Sequence, residues 1–286
     1  MAQLIDGKKI AAEVRGEITA ETKAFIEENG YAPGLTVIIV GENPASQVYV
    51  RNKKKACEEV GFASEVIALP EETTEEELLA RIDSLVHNDS VHGILVQLPL
   101  PKHISEDKVI AAIDVKKDVD GFHPANVAAL WQKQPCTLPC TPKGIIRMLQ
   151  TAGVEMAGKE AVVIGRSNIV GLPVSKLLLD QNATVTIAHS RTKNLAEVTR
   201  RAEILVVAIG RAKFVTADMV SEGAVVIDVG VNRDPETGKL CGDVDFAAIE
   251  PKASVITPVP GGVGPMTITC LMENTIECFL AKHSER

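Results

Sequence analysis

The chain has 286 residues, of which 45% are hydrophobic and 24% are charged, an ordinary composition for a soluble globular protein with room for two domains. The formal net charge of −8 argues against nucleic acid as a partner, because phosphate binding needs a clustered basic surface. We find no signal peptide and no apolar run of the roughly 20 residues that span a bilayer, and six scattered cysteines favour a reduced, cytoplasmic setting without membrane contact.

The first half of the chain alternates between helical and strand-like patterns. The predicted elements are, in order, helix 8–28, strand 35–40, helix 45–59, strand 66–69, helix 74–87 and strand 93–97. This alternation is typical of parallel strands joined by helical crossovers. Segment 118–141 is rich in Pro, Gly and small polar residues and interrupts the alternation, so we place a domain boundary there.

The second half repeats the alternation more regularly. Its predicted elements are helix 142–151, strand 160–164, helix 171–179, strand 183–187, helix 195–201, strands 204–207, 224–228 and 254–256, and helix 266–283. We predict an α/β protein of two domains with a cleft between them, the second a Rossmann-like, doubly wound parallel sheet. The expected domains are 1–138 with the C-terminal helix 266–286, and 139–265.

A glycine turn follows the first strand of the second domain. Gly165, Arg166 and Ser167 begin the turn, and Gly171 opens the next helix. A strand, a glycine turn and a helix N-terminus together attract a pyrophosphate through backbone N–H groups and the helix dipole. The match to G-x-G-x-x-G is imperfect, because Ser167 occupies the middle position and the last glycine comes late. An ordinary strand–helix turn therefore stays open.

The residues after the following strands indicate which dinucleotide binds. NAD-binding folds place an acid after the second strand, whereas this chain has Ser190 and Arg191 there, with Arg166 in the first turn. Guanidinium groups suit a phosphate better than a bare ribose, so we predict NADP, although Arg191 could also be a solvated loop residue. Val231 is a candidate wall for the nicotinamide. Gly210 could either admit the cofactor or serve for packing.

Tyr49 and Lys53 lie four residues apart on a predicted helix, so both side chains can project from one face. A lysine amine can carry protons in catalysis, and a tyrosine beside it can stack on a substrate ring. By spacing alone, Lys53 could equally be a surface residue of the basic run 53–55.

Polar residues also follow the last strand of the first domain. Gln97 stands where open α/β sheets place ligands, and Asp120 could hold an amino-pyrimidinone ring. Asp118 and Asp120 could instead cap the turn or bind a metal. We expect no metal, because no further ligands accompany these acids or the pair Cys136 and Cys140.

A run dense in proline and glycine, 257–265, precedes the last predicted helix. Such a run fixes the backbone at a defined angle and offers N–H donors to a ligand. A cis peptide bond before Pro99 or Pro260 is open at this point.

These motifs, taken together and in order, resemble the bifunctional methylenetetrahydrofolate dehydrogenase/cyclohydrolase family over essentially the whole chain. The segments that carry the resemblance are 40–46 with 49–53, 93–101, 117–122, 139–142, 165–173 and 258–267.

The resemblance implies a role for each candidate residue. Lys53 would carry protons for hydrolysis, Tyr49 would stack on the folate and Gln97 would bind Lys53. Asp120 would hold the pterin ring, and the folate pocket would be lined by Pro260, Gly261 and Gly262. The residues around the cofactor would be Gly165, Arg166, Ser167, Ser190, Arg191 and Val231.

The resemblance further implies tetrahydrofolate derivatives as substrates and a homodimer formed through the cofactor domains. Two alternatives remain at this stage. One is another two-domain NADP enzyme, such as a shikimate-type dehydrogenase, and the other is a non-catalytic NADP-sensing module.

Overall fold

The computed structural model describes residues 2–284, and its architecture is α/β. The helices are α1 (Gly7–Asn29), α2 (Pro44–Val60), α3 (Glu75–Val86), α4 (Glu106–Ala112), α5 (Pro124–Trp131), α6 (Cys140–Thr151), α7 (Gly171–Asp180), α8 (Leu195–Thr199), α9 (Phe246–Ile249) and α10 (Val263–Ser284). The strands are β1 (Gln3–Leu4), β2 (Gly34–Val40), β3 (Ala63–Leu69), β4 (Gly93–Val96), β5 (Glu160–Ile164), β6 (Thr184–Ala188), β7 (Ile204–Val207), β8 (Val225–Asp228), β9 (Asn232–Arg233), β10 (Leu240–Cys241) and β11 (Val255–Ile256).

The chain divides into two compact units. The first unit comprises residues 13–140 and the chain from Ile268 onward, and the second comprises residues 141–267 with the chain up to Ala12.

The first unit is built on a three-stranded parallel sheet with strand order β3-β2-β4. All seven residues of β2 are buried, because this strand is central in the sheet and its two faces are covered, which explains its continuous apolar sequence. Helices α3 and α4 cover one face through Leu78, Ile82 and Val109. At the carboxyl edge of the sheet, β2 leads into α2, and the neighbouring β4 leads into Gln97.

Helix α2 has well-defined ends. The Asn43 side chain accepts hydrogen bonds from the N–H groups of Ala45 (3.0 Å) and Ser46 (3.1 Å), and Pro44 occupies the first helical turn. Such an N-cap stabilises a helix by about 1 kcal/mol. Gly61 ends the helix in the left-handed region at φ 83°, where glycine is favoured. These signals fix the helix that carries Tyr49 and Lys53.

The second unit contains a six-stranded parallel sheet of order β1-β11-β8-β7-β5-β6. From β5 the chain passes to β6 on one side and then to β7 on the other. The carboxyl ends of β5 and β7 therefore form a topological switch point, the place where open α/β sheets bind ligands. Buried aliphatic residues such as Val162, Leu205 and Val226 form the core.

The N-terminal segment differs from the expected division of the chain. Strand β1 pairs with β11 in the sheet of the second unit, and residues up to Ala12 go with that unit rather than with the first. A strand of only two residues, both exposed, has too little pattern to be recognised from sequence. The segment 118–141, where we expected the domain boundary, contains helix α5. The observed division falls at the end of this segment, between Cys140 and Thr141.

Helix α10 belongs to the first unit from Ile268 onward. Its Met272 contacts Cys57 of α2 (Sγ–Sδ 3.6 Å), and its Phe279 packs against Phe25 of α1 with ring centroids 5.5 Å apart. Among residues 2–284, every helix is too short or too polar to cross a membrane.

Candidate active site

Lys53 is a buried lysine on α2. It is only 8% exposed, while Tyr49, one turn earlier, is 38% exposed. The Lys53 Nζ donates a hydrogen bond to Gln97 Oε1 at 3.0 Å. The flanking Lys54 and Lys55 are exposed, so the structure separates Lys53 from the surface lysines of the same run.

Gln97 is held so that its oxygen faces Lys53. Its Nε2 donates to the carbonyl of Leu98 at 2.7 Å, and its backbone N–H donates to the carbonyl of Ile38 at 2.8 Å. Because the amide nitrogen is engaged, the amide oxygen is the atom presented to the amine. The Leu98–Pro99 peptide bond is cis.

The two acids near residue 120 have separate roles. Asp118 is buried and accepts hydrogen bonds from the N–H of Gly121 (3.0 Å), the N–H of His123 (2.8 Å) and Asn126 Nδ2 (2.8 Å). It therefore fixes the turn, which is the capping alternative for this residue. Asp120 is half-buried, and its Oδ1 lies 3.8 Å from the Cys140 thiol.

The electrostatics of Asp120 fit its predicted role in ligand binding. Burial raises the pKa of its carboxyl above the ordinary value, and the nearby Lys53 ammonium acts in the opposite direction. A ligand that donates N–H bonds to this carboxyl would favour the ionised form. Burial likewise raises the pKa of the Tyr49 phenol, so the ring presents a neutral hydroxyl.

Two residues support the Asp120 loop, and one of them, Asn274, was not singled out in the sequence. Asn274 Nδ2 of α10 donates to the carbonyls of Val119 (2.8 Å) and Leu138 (2.9 Å), and the Cys140 thiol donates to the Val119 carbonyl (3.3 Å). The available signal was an asparagine in the largely apolar sequence of the last helix. A buried amide requires partners.

The glycine turn of the second unit lies at the switch point. Gly165 has φ 130°, and a Cβ there would collide with the carbonyl of Ala208, just after β7. A Cβ on Gly171 would collide with the Gly165 carbonyl. The close approach of backbone at both positions therefore requires glycine, which explains why these two residues have no side chain.

The turn also has internal hydrogen bonds. Ser167 Oγ accepts from the N–H groups of Val170 (3.2 Å) and Gly171 (3.3 Å), and its carbonyl accepts from Leu172 (3.0 Å). Several N–H groups expected to meet a pyrophosphate are thus bonded to Ser167. An anion here would depend more on the helix dipole and on Arg166.

The candidate phosphate residues are exposed around this turn. Arg166, Ser190 and Arg191 are all exposed, as a site for a dianionic phosphate requires. Gly210 has φ 64° with open space around its Cα, so it is not a packing glycine. Val231 is 47% exposed, as expected of a wall for a flat ring. These residues fit a dinucleotide phosphate.

The proline–glycine segment also belongs to the second unit. The Val259–Pro260 bond is cis, and Gly261 has φ 106°. Gly262 is buried against Gly7, where a Cβ would collide with the Gly262 carbonyl. The candidate residues thus fall into two groups: Tyr49, Lys53, Gln97 and Asp120 in the first unit, and the glycine turn, the phosphate residues, Val231 and 260–262 in the second.

Comparison with protein families gives a match on each half of the chain. Residues 5–120 match the family described as tetrahydrofolate dehydrogenase/cyclohydrolase, catalytic domain, and residues 139–283 match the NAD(P)-binding domain of the same family. The chain belongs to the tetrahydrofolate dehydrogenase/cyclohydrolase family.

Individual relatives agree. The bifunctional protein FolD of Streptococcus pneumoniae serotype 4 is 61% identical over 280 residues, 98% of each chain. The bifunctional FolD structure from Campylobacter jejuni has a TM-score of 0.96 at 49% identity, covering 99% of this chain and 100% of that one. The Trypanosoma brucei dehydrogenase-cyclohydrolase, solved with NADP cofactor and inhibitor, has a TM-score of 0.95 at 40% identity, covering 100% and 99%.

These comparisons confirm the expected fold class, the bifunctional dehydrogenase/cyclohydrolase activity and the NADP cofactor. The shikimate-type and NADP-sensing alternatives are not favoured.

In this dehydrogenase/cyclohydrolase, the last residue of β8 is a buried acid that the sequence did not single out. Asp228 accepts hydrogen bonds from the N–H groups of Gly230 (3.1 Å), Asp243 (2.8 Å) and Val244 (3.1 Å). Burial, together with the Asp243 carboxylate, raises the pKa of the Asp228 carboxyl to about 7, although the backbone donors oppose the shift. Asp228 fastens the loops that follow β8 and β10.

We expect Asp228 to make the free energy of unfolding fall as the pH rises from about 4 to about 7. In that range the folded protein keeps a proton on Asp228, which the unfolded chain, with a pKa of 3.8, has released, so a higher pH favours unfolding. The full effect is on the order of 4 kcal/mol. Urea denaturation of wild type and Asp228→Asn at several pH values checks this, because the difference should move in favour of the variant as pH rises. Parallel curves would contradict it.

Proposed function

We propose that this enzyme oxidises methylenetetrahydrofolate to methenyltetrahydrofolate with NADP⁺ and hydrolyses the product to formyltetrahydrofolate, with Lys53 as the proton carrier of the second step. The observation that supports Lys53 is its burial together with the 3.0 Å hydrogen bond from Nζ to Gln97 Oε1. Burial raises the pKa of the Asp120 carboxyl and the Lys53 ammonium opposes this shift, which supports a site that contains both groups. A lysine placed in this way serves a reaction rather than solubility.

In the hydrolysis, the methenyl carbon carries a positive charge shared with its two flanking nitrogens, and water adds to it. One proton of the added water leaves to solvent. The Lys53 ammonium then gives a proton to the departing nitrogen, whose C–N bond breaks, and the amine so formed takes the hydroxyl proton as the C=O bond of the formyl group forms. Gln97 holds the amine in place. This positioning favours the reaction because proton transfer requires heavy atoms within hydrogen-bonding distance.

Candidate residues for folate binding occur in each unit. Asp120 accepts hydrogen bonds from the N–H groups of the pterin ring, and these bonds, like the nearby Lys53 ammonium, favour the ionised form against the effect of burial. The half-exposed ring of Tyr49 stacks on the substrate and helps to position Lys53. The backbone of Pro260, Gly261 and Gly262 lines the pocket, as the absence of bulky side chains there allows.

When bound, NADP⁺ supplies the hydride acceptor for the first step. The turn from Gly165 to Gly171 would hold its pyrophosphate. Ser167 and Arg166 lie in this turn, and Ser190 and Arg191 would bind the additional phosphate. Val231 would form a wall of the nicotinamide site. We assign folate binding and proton transfer chiefly to the first unit, and NADP binding to the second.

We further propose that the enzyme is a cytoplasmic homodimer that binds neither nucleic acid nor membranes. Strand β6 is the edge of the sheet in the second unit, and Thr184 and Ile187 on it are exposed. Unpaired edge strands are ready to pair with a second chain. Sedimentation equilibrium should give twice the 30.6 kDa chain mass; a monomer at micromolar concentration would contradict the dimer.

An absorbance assay tests the proposed reaction. NADP⁺ with methylenetetrahydrofolate should give NADPH and a transient methenyl species, and methenyltetrahydrofolate alone should lose its absorbance as it is hydrolysed. Shikimate should give no NADPH. Cofactor binding without turnover of folate would instead support an NADP-sensing module.

A further inference from the structure

A second buried acid, Asp243, receives four hydrogen bonds in the second unit. It is fully buried and lies just after strand β10. Its donors are Ile209 N (2.7 Å) and Gly210 N (3.0 Å) on Oδ2, and Arg211 N (2.7 Å) and Asn232 Nδ2 (2.8 Å) on Oδ1. Three successive backbone N–H groups thus converge on one carboxylate.

These donors come from two loops that both leave the carboxyl edge of the sheet. Residues 209–211 follow β7, and Asn232 follows β8 directly after Val231. Strand β7 flanks the switch point, and Ala208 at its end lies against Gly165 of the glycine turn. The carboxylate therefore sets the positions of Gly210 and of Asn232, whose neighbour Val231 is assigned to the nicotinamide.

The surrounding glycines fit this arrangement. A Cβ on Gly230 would collide with the Asp243 carboxylate, and a Cβ on Gly242 would collide with that of Asp228. Asp228 in turn accepts the Asp243 N–H, and its own N–H donates to Thr257 Oγ1 at 2.8 Å. The network thus extends to Thr257, which begins the segment leading to Pro260.

We propose that Asp243 is a positioning residue for hydride transfer, which holds the loops after β7 and β8 so that Gly210 and Val231 form the wall of the nicotinamide site. The inference rests on the proposed function, since it concerns the oxidation step. A carboxylate is required because all four partners are donors and an ionised aspartate is purely an acceptor. An asparagine would turn an NH₂ group toward two N–H donors and displace one of the loops.

The two activities of this enzyme provide an internal control. Oxidation depends on the nicotinamide wall, whereas hydrolysis of methenyltetrahydrofolate depends on Lys53 and Gln97 in the first unit. A positioning role therefore predicts unequal losses. A merely structural role predicts equal losses of both activities with a lower Tm.

The experiment compares Asp243→Asn with Asp245→Asn, the same substitution two residues away, where the side chain makes no capping hydrogen bond. For Asp243→Asn, dehydrogenase kcat/KM should fall on the order of 100-fold and calorimetric NADP⁺ affinity should fall by about 10-fold. Cyclohydrolase kcat/KM should stay within about two-fold of wild type. Asp245→Asn should match wild type in all three.

Asn232→Ala decides the question if Asp243→Asn does not fold, because it removes one donor from a partly exposed side chain. It should lower dehydrogenase kcat/KM by roughly 5-fold with unchanged hydrolysis. Equal losses of both activities, or none in either variant, would overturn the inference. If wild type itself oxidises no methylenetetrahydrofolate, the proposed function fails instead.

Discussion

Replacing Lys53 with methionine is expected to abolish hydrolysis of methenyltetrahydrofolate while leaving NADP⁺ binding unchanged. Methionine fills a similar volume but has no group that can accept or release a proton. The Lys53 side chain is buried and bonded to Gln97, so we do not expect an exposed lysine nearby to take over its role. Positioned acid–base groups contribute about 10²- to 10⁴-fold, so kcat for hydrolysis should fall at least ~100-fold, measured by the loss of methenyl absorbance. NADP⁺ affinity should not change, because the cofactor residues lie in the other unit.

The chain provides a matched control for this variant. Lys54→Met and Lys55→Met make the same change at neighbouring exposed positions and should hydrolyse at the wild-type rate. Lys53→Arg separates charge from proton transfer, since a guanidinium keeps the charge but does not release a proton near neutrality. It should therefore be as inactive as Lys53→Met. Wild-type hydrolysis by Lys53→Met would show that the assigned role is wrong.

Removing the Lys53 amine also lowers the stability of the fold, and this effect must be measured separately from the loss of activity. Lys53→Met leaves Gln97 Oε1 without its donor, which typically costs about 1–3 kcal/mol when the group is buried. A thermal melt of each variant measures this. An enzyme that is folded at the assay temperature, binds NADP⁺ normally and fails to hydrolyse would be explained only by the missing amine.

Patterns within one element could be predicted well from the sequence. Strands β2, β5 and β7 are central, and continuous apolar runs indicated them because both faces are covered. Helix α2 was predicted at 45–59 and lies at Pro44–Val60, with Gly61 directly after it, a residue whose backbone preference acts locally. The same holds for the Gly165 turn, where the family resemblance added what the imperfect glycine spacing did not supply.

Features that depend on distant segments could not be predicted in the same way. The spacing of Tyr49 and Lys53 was compatible with a surface lysine, and only the approach of Gln97, 44 residues away, buries the amine. Asp243 meets Ile209 across 34 residues, and no local pattern marks it. The strand β1 and the hairpin of β9 and β10 are two residues per strand, too short for alternation to be detected.

Replacing Arg191 with serine is expected to remove most of the preference for NADP⁺ over NAD⁺. Arg191 is exposed in the turn after β6, where NAD-binding folds carry an acid. Hydrogen bonds to charged groups contribute about 1.5–3 kcal/mol, so NADP⁺ affinity should fall roughly 10- to 100-fold. NAD⁺ lacks the additional phosphate, so its affinity should stay constant, and the ratio of the two dissociation constants, measured by calorimetry, reports the change.

The local structure makes this substitution a clean one. The turn is held by bonds that do not involve the Arg191 side chain: His189 N–H donates to Thr192 Oγ1 at 2.8 Å, and Arg191 N–H donates to His189 Nδ1 at 3.1 Å. Serine keeps the backbone donor, so the turn should persist. Lys193→Ser removes one positive charge two residues away and controls for the general field, which salt screens over about 10 Å. If both variants lose the same affinity for NADP⁺, the preference arises from overall charge and not from a direct contact with Arg191. If only Arg191→Ser loses affinity, the guanidinium binds the phosphate. Arg166→Ser then measures how much the first turn contributes to NADP⁺ affinity.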